Sequence, residues 1–95
     1  MEHQEHWQYR AAGRVQGVNY RARVAESARR HGVVGWVENL PDGTVLIDAQ
    51  GEPDSLAAFG RDIAGARGIS HAHEVRPITR LPVDSGLVSF EIRRE

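Results

Sequence analysis

Between Ala12 and Tyr20 the hydrophobic pattern of this chain changes period, and that change limits the fold more than any other feature of the sequence. From His6 to Ala12 the residues alternate, with Trp7, Tyr9 and Ala11 on one side, the pattern of a strand with one buried face. From Tyr20 to His31 the apolar stripe is Tyr20, Val24, Ala25 and Ala28, which is helical spacing, and Gly32 is placed to stop the helix. The residues between, Gly13 to Asn19, must turn a strand into a helix. They place glycines and arginines where the helix begins, in the run Gly13-Arg14-Val15-Gln16-Gly17-Val18-Asn19-Tyr20-Arg21. Backbone N–H groups are unpaired there, and the helix dipole is positive. Arg14, Arg21 and Arg23 add cations against that dipole, and no acidic residue occurs between Glu5 and Glu26. A bound anion resolves the conflict, and phosphate is the ordinary candidate.

The rest of the chain alternates between strand and helix patterns. Val33 to Glu38 reads as a second strand, and Pro41-Asp42-Gly43 as a hairpin turn, with proline presetting φ and glycine accepting a positive one. Thr44 to Ala49 is a third strand, with Val45, Ile47 and Ala49 opposed to Leu46 and Asp48. Gly51-Glu52-Pro53-Asp54 opens a second helix that carries Leu56, Phe59 and Ile63 to about Ala66, with Gly60 and Gly65 weakening it. His71 to Ile78 is a fourth strand. Leu87 to Arg93 is the last, with Val88, Phe90 and Ile92 facing inward. Trp36 and Phe59 read as core aromatics.

The order is β-α-β-β-α-β, with its final β in one or two pieces, and it predicts an α+β, ferredoxin-like split β-α-β sandwich: an antiparallel sheet with two helices packed on one face. Right-handed crossovers make the first and second strands parallel, with the third between them running the other way. Their C-terminal ends then share one edge, roughly 10 Å apart. The Gly13–Asn19 loop leaves the first strand at that edge, and Asn39 ends the second, so the two can converge on one ligand.

Composition excludes several chemistries. Cysteine is absent, which removes disulfides, thiol catalysis and cysteine–zinc sites. All 12 basic residues are arginine, so a Schiff base and a Walker A lysine are impossible. Arginine binds anions but stays protonated and cannot serve as a base. The net charge of −1 gives no case for nucleic acid or a membrane surface. The polar start, Met1 to His6, is no secretory signal, and no apolar run approaches a membrane span. His71 and His73, even joined by His3 or His6, read as a solvated face rather than a zinc site. One domain over residues 1–95 is expected, a cytoplasmic monomer with no cofactor, metal, nucleic acid or membrane partner.

Two segments carry a family resemblance. The run from Gly13 to Arg21, followed by Gly35-Trp36-Val37-Glu38-Asn39-Leu40-Pro41-Asp42-Gly43-Thr44-Val45, closely resembles the two signature segments of acylphosphatases. The resemblance implies a hydrolase that cleaves acyl phosphates to a carboxylate and inorganic phosphate. It implies that Arg21 is the phosphate-binding arginine and Asn39 the residue that positions water. Loop amides from Gln16, Gly17, Val18, Asn19 and Tyr20 would hold the phosphoryl oxygens, and phosphate or sulfate would bind as product-like ligands. Taken singly, Arg21 would be a solvated helix residue, Asn39 a turn residue, and Gly13 and Gly17 ordinary loop glycines. The two motifs in order, on one predicted sheet edge, make them a site.

The sequence departs from the family pattern at Gly68-Ile69, where Gly-Pro is common, and at Ala72-His73-Glu74-Val75, where valine follows alanine more closely. Tyr20 stands where phenylalanine is common and adds one hydroxyl. Two other readings compete. RNA-recognition domains share the topology but stack bases on third-strand aromatics, and Thr44 to Ala49 has none. Acylphosphatase-like domains also serve in hydrogenase maturation factors, where they handle carbamoyl phosphate.

Overall fold

An amphipathic strand alternation needs partners on both sides, and the middle of the sheet supplies them. In the computed structural model, which describes residues 3–17, 19–64 and 72–94, strands β1 (Glu5–Gly13) and β2 (Val34–Asn39) flank β3 (Val45–Gly51). Strand β3 is antiparallel to both, with Ala11 opposite Val45 on one side and Asn39 opposite Val45 on the other. Strand β4 (Ala72–Leu81) pairs antiparallel with the outer side of β1. Strand β5 (Phe90–Arg93) pairs parallel with β2, so the sheet order is β4-β1-β3-β2-β5. The final β of the expected pattern is thus divided between the two edges, and its second piece makes the sheet mixed. Pro77 sits opposite Tyr9, where the β1–β4 register shifts; an edge strand tolerates a residue with no N–H to donate. Residues Gly68, Ile69 and His71 lie outside the described set, as does the side chain of His73.

Helices α1 (Tyr20–Arg30) and α2 (Pro53–Ile63) cover one face of the sheet. Their stripes, Tyr20, Val24, Ala25 and Ala28 from α1 and Leu56, Phe59 and Ile63 from α2, are buried against Ala11, Val37, Val45, Ile47, Ala49 and Phe90. Phe59 meets Phe90 edge-on, with ring centroids 6.0 Å apart. Burying each large side chain contributes about 1.5–3 kcal/mol. Ionic contacts add orientation between the helices: Ser27, Arg30 and His31 of the α1 end converge on Asp62 Oδ2 at 2.8, 3.0 and 2.9 Å. The Ser27 hydroxyl, then His31 and Arg30, hold the Asp62 carboxyl down at about 2. Where β2 crosses β3, only glycine fits at Gly35. Its φ is 141°, and a Cβ there would lie 1.9 Å from the Asp48 carbonyl oxygen.

Two expectations need correction. Val88 is 82% exposed rather than inward, because β5 begins only at Phe90. The aliphatic alternation of Leu87 to Ile92 therefore mixes loop and strand. Trp36 is not in the core. Its neighbour Val37 takes the inward position, and Trp36 lies half-buried on the outer face beneath the Arg93 guanidinium, 3.9 Å from the ring centroid.

That outer face also holds a buried polar network. The segment between β4 and β5 passes across it, with Pro82 at β1, Asp84 at β3 and Ser89 at β2. Gln50 and Asp84 exchange two hydrogen bonds, of 2.9 and 2.7 Å. His6 is 6% exposed, with Nδ1 2.9 Å from the Pro82 carbonyl oxygen and Nε2 2.7 Å from Asp48 Oδ1. Only the imidazolium can donate to both. Burial alone pushes the imidazole pKa down; the Pro82 carbonyl and the Asp48 carboxylate outweigh it and raise it above the ordinary 6.5.

A raised folded-state pKa contributes stability that is present below the unfolded value and is lost as pH rises through the folded value. The depressed Asp62 works in the opposite sense: its contribution is present above the usual carboxylate value near 3.8 and is lost as pH falls toward about 2. Denaturant unfolding should therefore show stability declining on both limbs. The alkaline decline should flatten in His6→Gln. His6→Ala leaves the Asp48 carboxylate buried without its main partner and should cost about 3 kcal/mol or more.

Candidate active site

The parallel β1 and β2 end on the same edge of the sheet, at Gly13 and Asn39. The chain after β1 is fastened from within: Val15, 1% exposed, sits in the core, and its N–H returns to the Gly13 carbonyl at 3.0 Å. Two left-handed residues then curl the loop, Gly17 at φ 77° and Asn19 at φ 66°. Asn19 is the N-cap of α1, yet its side chain makes no capping bond, and the first turn of the helix has no acidic residue. The N–H groups at this helix start thus lack the usual side-chain partner, the condition in which a helix start binds an anion.

The loop opens on a cavity of about 470 Å³ lined by Gly17, Asn19, Tyr20, Arg21, Asn39 and Arg94, among others. A second depression of about 480 Å³ adjoins it, formed by Gln16, Leu40 and Pro41 and sharing Arg21, Asn39 and Arg94. Those three shared residues stand at the junction of one cleft. No aspartate or glutamate occurs among the described residues that line either part. Arg21 is aimed rather than free: its Nη1 donates to the Arg93 carbonyl at 2.7 Å, leaving the other N–H groups of the planar fork for a ligand. Asn39 Oδ1 is buried and has no hydrogen-bond partner among the described residues. An unpaired buried acceptor costs about 1–3 kcal/mol, which a turn of the carboxamide toward the cleft or a bound water would offset. A dianion with tetrahedral oxygens fits this arrangement, held by one fixed guanidinium and by backbone donors.

The structure brings Arg21, Asn39, Gln16, Gly17, Asn19 and Tyr20 to the cleft; Val18 lies outside the described residues. The Tyr20 hydroxyl points elsewhere. It donates to the Ile63 carbonyl at 2.9 Å and ties α1 to the end of α2, and burial pushes the phenol far up. Arg14 and Arg23 are exposed and do not line the cleft. Sequence reasoning missed three groups at the cleft: Arg94 among its lining, the Arg93 carbonyl and the side chain of Gln16. The Arg93-Arg94 pair was a visible signal in a chain whose expected site calls for cations. The carbonyl left no signal, since every residue has one.

Comparison with known proteins points to one family and one fold. The family model described as acylphosphatase matches residues 7–92. An acylphosphatase of a Nocardioides species is 43% identical over 81 residues, which cover 85% of this chain and 80% of the relative. The crystal structure of acylphosphatase from Bacillus subtilis superposes with a TM-score of 0.84 at 28% identity, over 97% of this chain and 100% of that one. Full-length HypF, in its phosphate- and nucleotide-bound form, contains a region with a TM-score of 0.85 at 26% identity, covering 99% of this chain and 12% of that one.

Inorganic phosphate or sulfate at tens of millimolar should raise the melting temperature. A ligand at 100 times its dissociation constant adds roughly 2.7 kcal/mol. Arg21→Ala should remove most of the rise. A wild-type melting temperature indifferent to both anions would rule out an anion cradle in this loop.

Proposed function

Because the chain belongs to the acylphosphatase family, it is a hydrolase of acyl phosphates, and we propose that it works without a metal, by in-line attack of a water held at Asn39 on a phosphoryl group held by Arg21 and the loop amides. The observation that carries this reading is the convergence of the Asn39 carboxamide and the carbonyl-tethered guanidinium of Arg21 on one cleft. With its oxygen turned to the cleft, that carboxamide accepts one hydrogen bond from a water, and its nitrogen can donate to a phosphoryl oxygen.

The chemistry asks for little else. The water oxygen forms a bond to phosphorus as the bond from phosphorus to the acyl oxygen breaks. The carboxylate leaves with the electron pair, and the water's proton passes to phosphate or solvent. A leaving group whose conjugate acid has a pKa of about 4 needs no proton donor. A loose phosphoryl-transfer transition state likewise asks little of a general base. Charge stabilisation and aim remain. The guanidinium fork contributes a bidentate contact, and backbone N–H groups of the loop before α1 contribute further donors. The Arg93 carbonyl fixes the guanidinium without neutralising it, as a carboxylate in its place would. A site that reads mostly the phosphoryl group accepts many acyl groups, and benzoyl phosphate serves as the probe.

Turnover of benzoyl phosphate should persist in EDTA; loss of activity restored by a divalent ion would sink the metal-free mechanism. Arg21→Ala should lower both kcat and phosphate affinity, and Arg21→Lys should recover little, since a point charge cannot replace the planar fork. Asn39→Ala should lower kcat by roughly a hundredfold or more, comparable to losing one preorganised donor, while phosphate still binds. Near wild-type turnover in Asn39→Ala, or loss of phosphate binding as severe as in Arg21→Ala, would overturn the division of labour.

A further inference from the structure

We propose that the side chain of Gln16 is a positioning residue for hydrolysis: it latches the β2–β3 turn to the phosphate loop and so keeps Asn39 aimed. The inference rests on the water-holding role of Asn39 proposed above and extends it to a residue whose backbone alone had been assigned to the loop.

The Gln16 Nε2 donates to two carbonyl oxygens, Leu40 at 2.9 Å and Thr44 at 2.8 Å. Both partners can only accept, so the nitrogen must face them, and both of its N–H groups are used. The turn does not need this contact to exist. Leu40 N–H already bonds the Thr44 carbonyl at 2.9 Å, Gly43 N–H bonds the Leu40 carbonyl at 3.1 Å, and Asp42 Oδ1 accepts from the Thr44 N–H at 3.0 Å and from its hydroxyl at 2.6 Å. What Gln16 adds is a tie between the turn and the loop, across 24 and 28 positions of sequence. Leu40 follows Asn39 directly, and Asn39 is the last residue of β2 before the turn. A freely hinging turn would carry the Asn39 amide with it. The cleft residues Gln16, Leu40 and Pro41 border the side on which Asn39 meets Arg21 and Arg94. The latch thus couples the half of the site that holds phosphate to the half that holds water. A displacement of about 1 Å in a reacting group is enough to cost two orders of magnitude in rate.

Gln16→Met keeps length and backbone N–H but has no donor; Gln16→Glu keeps the shape and turns a carboxylate toward two carbonyls. With benzoyl phosphate, both should lower kcat about tenfold while KM and phosphate affinity stay within about twofold, an expectation set by loss of aim rather than of binding. In an Asn39→Ala background, Gln16→Met should lower kcat by less than about twofold, because the residue it positions is gone. Hydrogen exchange supplies a readout independent of turnover: the amides of Leu40 and Gly43 should exchange faster in Gln16→Met, with those of Val24 and Ala28 in α1 unchanged. A full tenfold loss in the Asn39→Ala background, unchanged exchange at the turn, or an equal fall in phosphate affinity would overturn the latch while leaving the hydrolase reading standing. A wild-type protein inert toward benzoyl phosphate, with or without divalent ions, would overturn both.

Discussion

An antiparallel strand inserted between two others leaves those two parallel and about 10 Å apart, two strand spacings, and β3 stands in that relation to β1 and β2. Every part of the cleft depends on it. Because β1 and β2 end on one edge, the loop that begins α1 and the turn that follows Asn39 face the same space, although neither segment is near the other in sequence. The close crossing at Gly35 makes the arrangement tight, with the Asp48 carbonyl occupying the volume any side chain would need. The helices act on this frame from one side only. Tyr20 and Val15 pin the two ends of the loop into the core.

The electrostatics follow from the same placement. Arg21 begins a helix whose dipole repels it, which is unfavourable in the free protein. The Arg93 carbonyl offsets part of that cost with a charge-assisted bond and fixes the direction of the fork. The remainder is a local excess of positive charge at the cleft. Arg94 adds a cation at the same junction, so the positive field at the cleft is local, although the chain as a whole is close to neutral.

Much of this was legible in the sequence, where one residue type constrained one conformation. The change of period around the Gly13–Asn19 loop, the Pro41-Asp42-Gly43 turn and the β-α-β-β-α-β order all rest on local rules, and they were enough to place Asn39 and Arg21 on one edge. The misreadings came from places where local rules leave a choice. Trp36 and Val37 are both apolar, and only the pairing of β2 with β3 decides which faces the helices. Val88 continues an alternation that belongs to a strand starting two residues later. The Gln16 latch and the Arg93 carbonyl were invisible for another reason: they are side-chain-to-backbone contacts over long sequence distances, and a carbonyl has no residue identity to read. His6 belongs to the same class, since its importance appears only once Pro82 and Asp48 are brought to its two nitrogens.

The bond from Arg21 to the Arg93 carbonyl joins positions 72 residues apart, and it depends on a strand at the far edge of the sheet. Contacts of such separation close late, because the chain entropy of the intervening loop must be lost first. The loop after β1, α1 and the β2–β3 hairpin can all take shape from the first half of the chain, but the guanidinium has no fixed direction until β5 docks beside β2. The direction of that guanidinium is therefore set at the end of folding, after most of the secondary structure is in place. During synthesis, a nascent chain that has exposed both signature segments still presents an unaimed arginine.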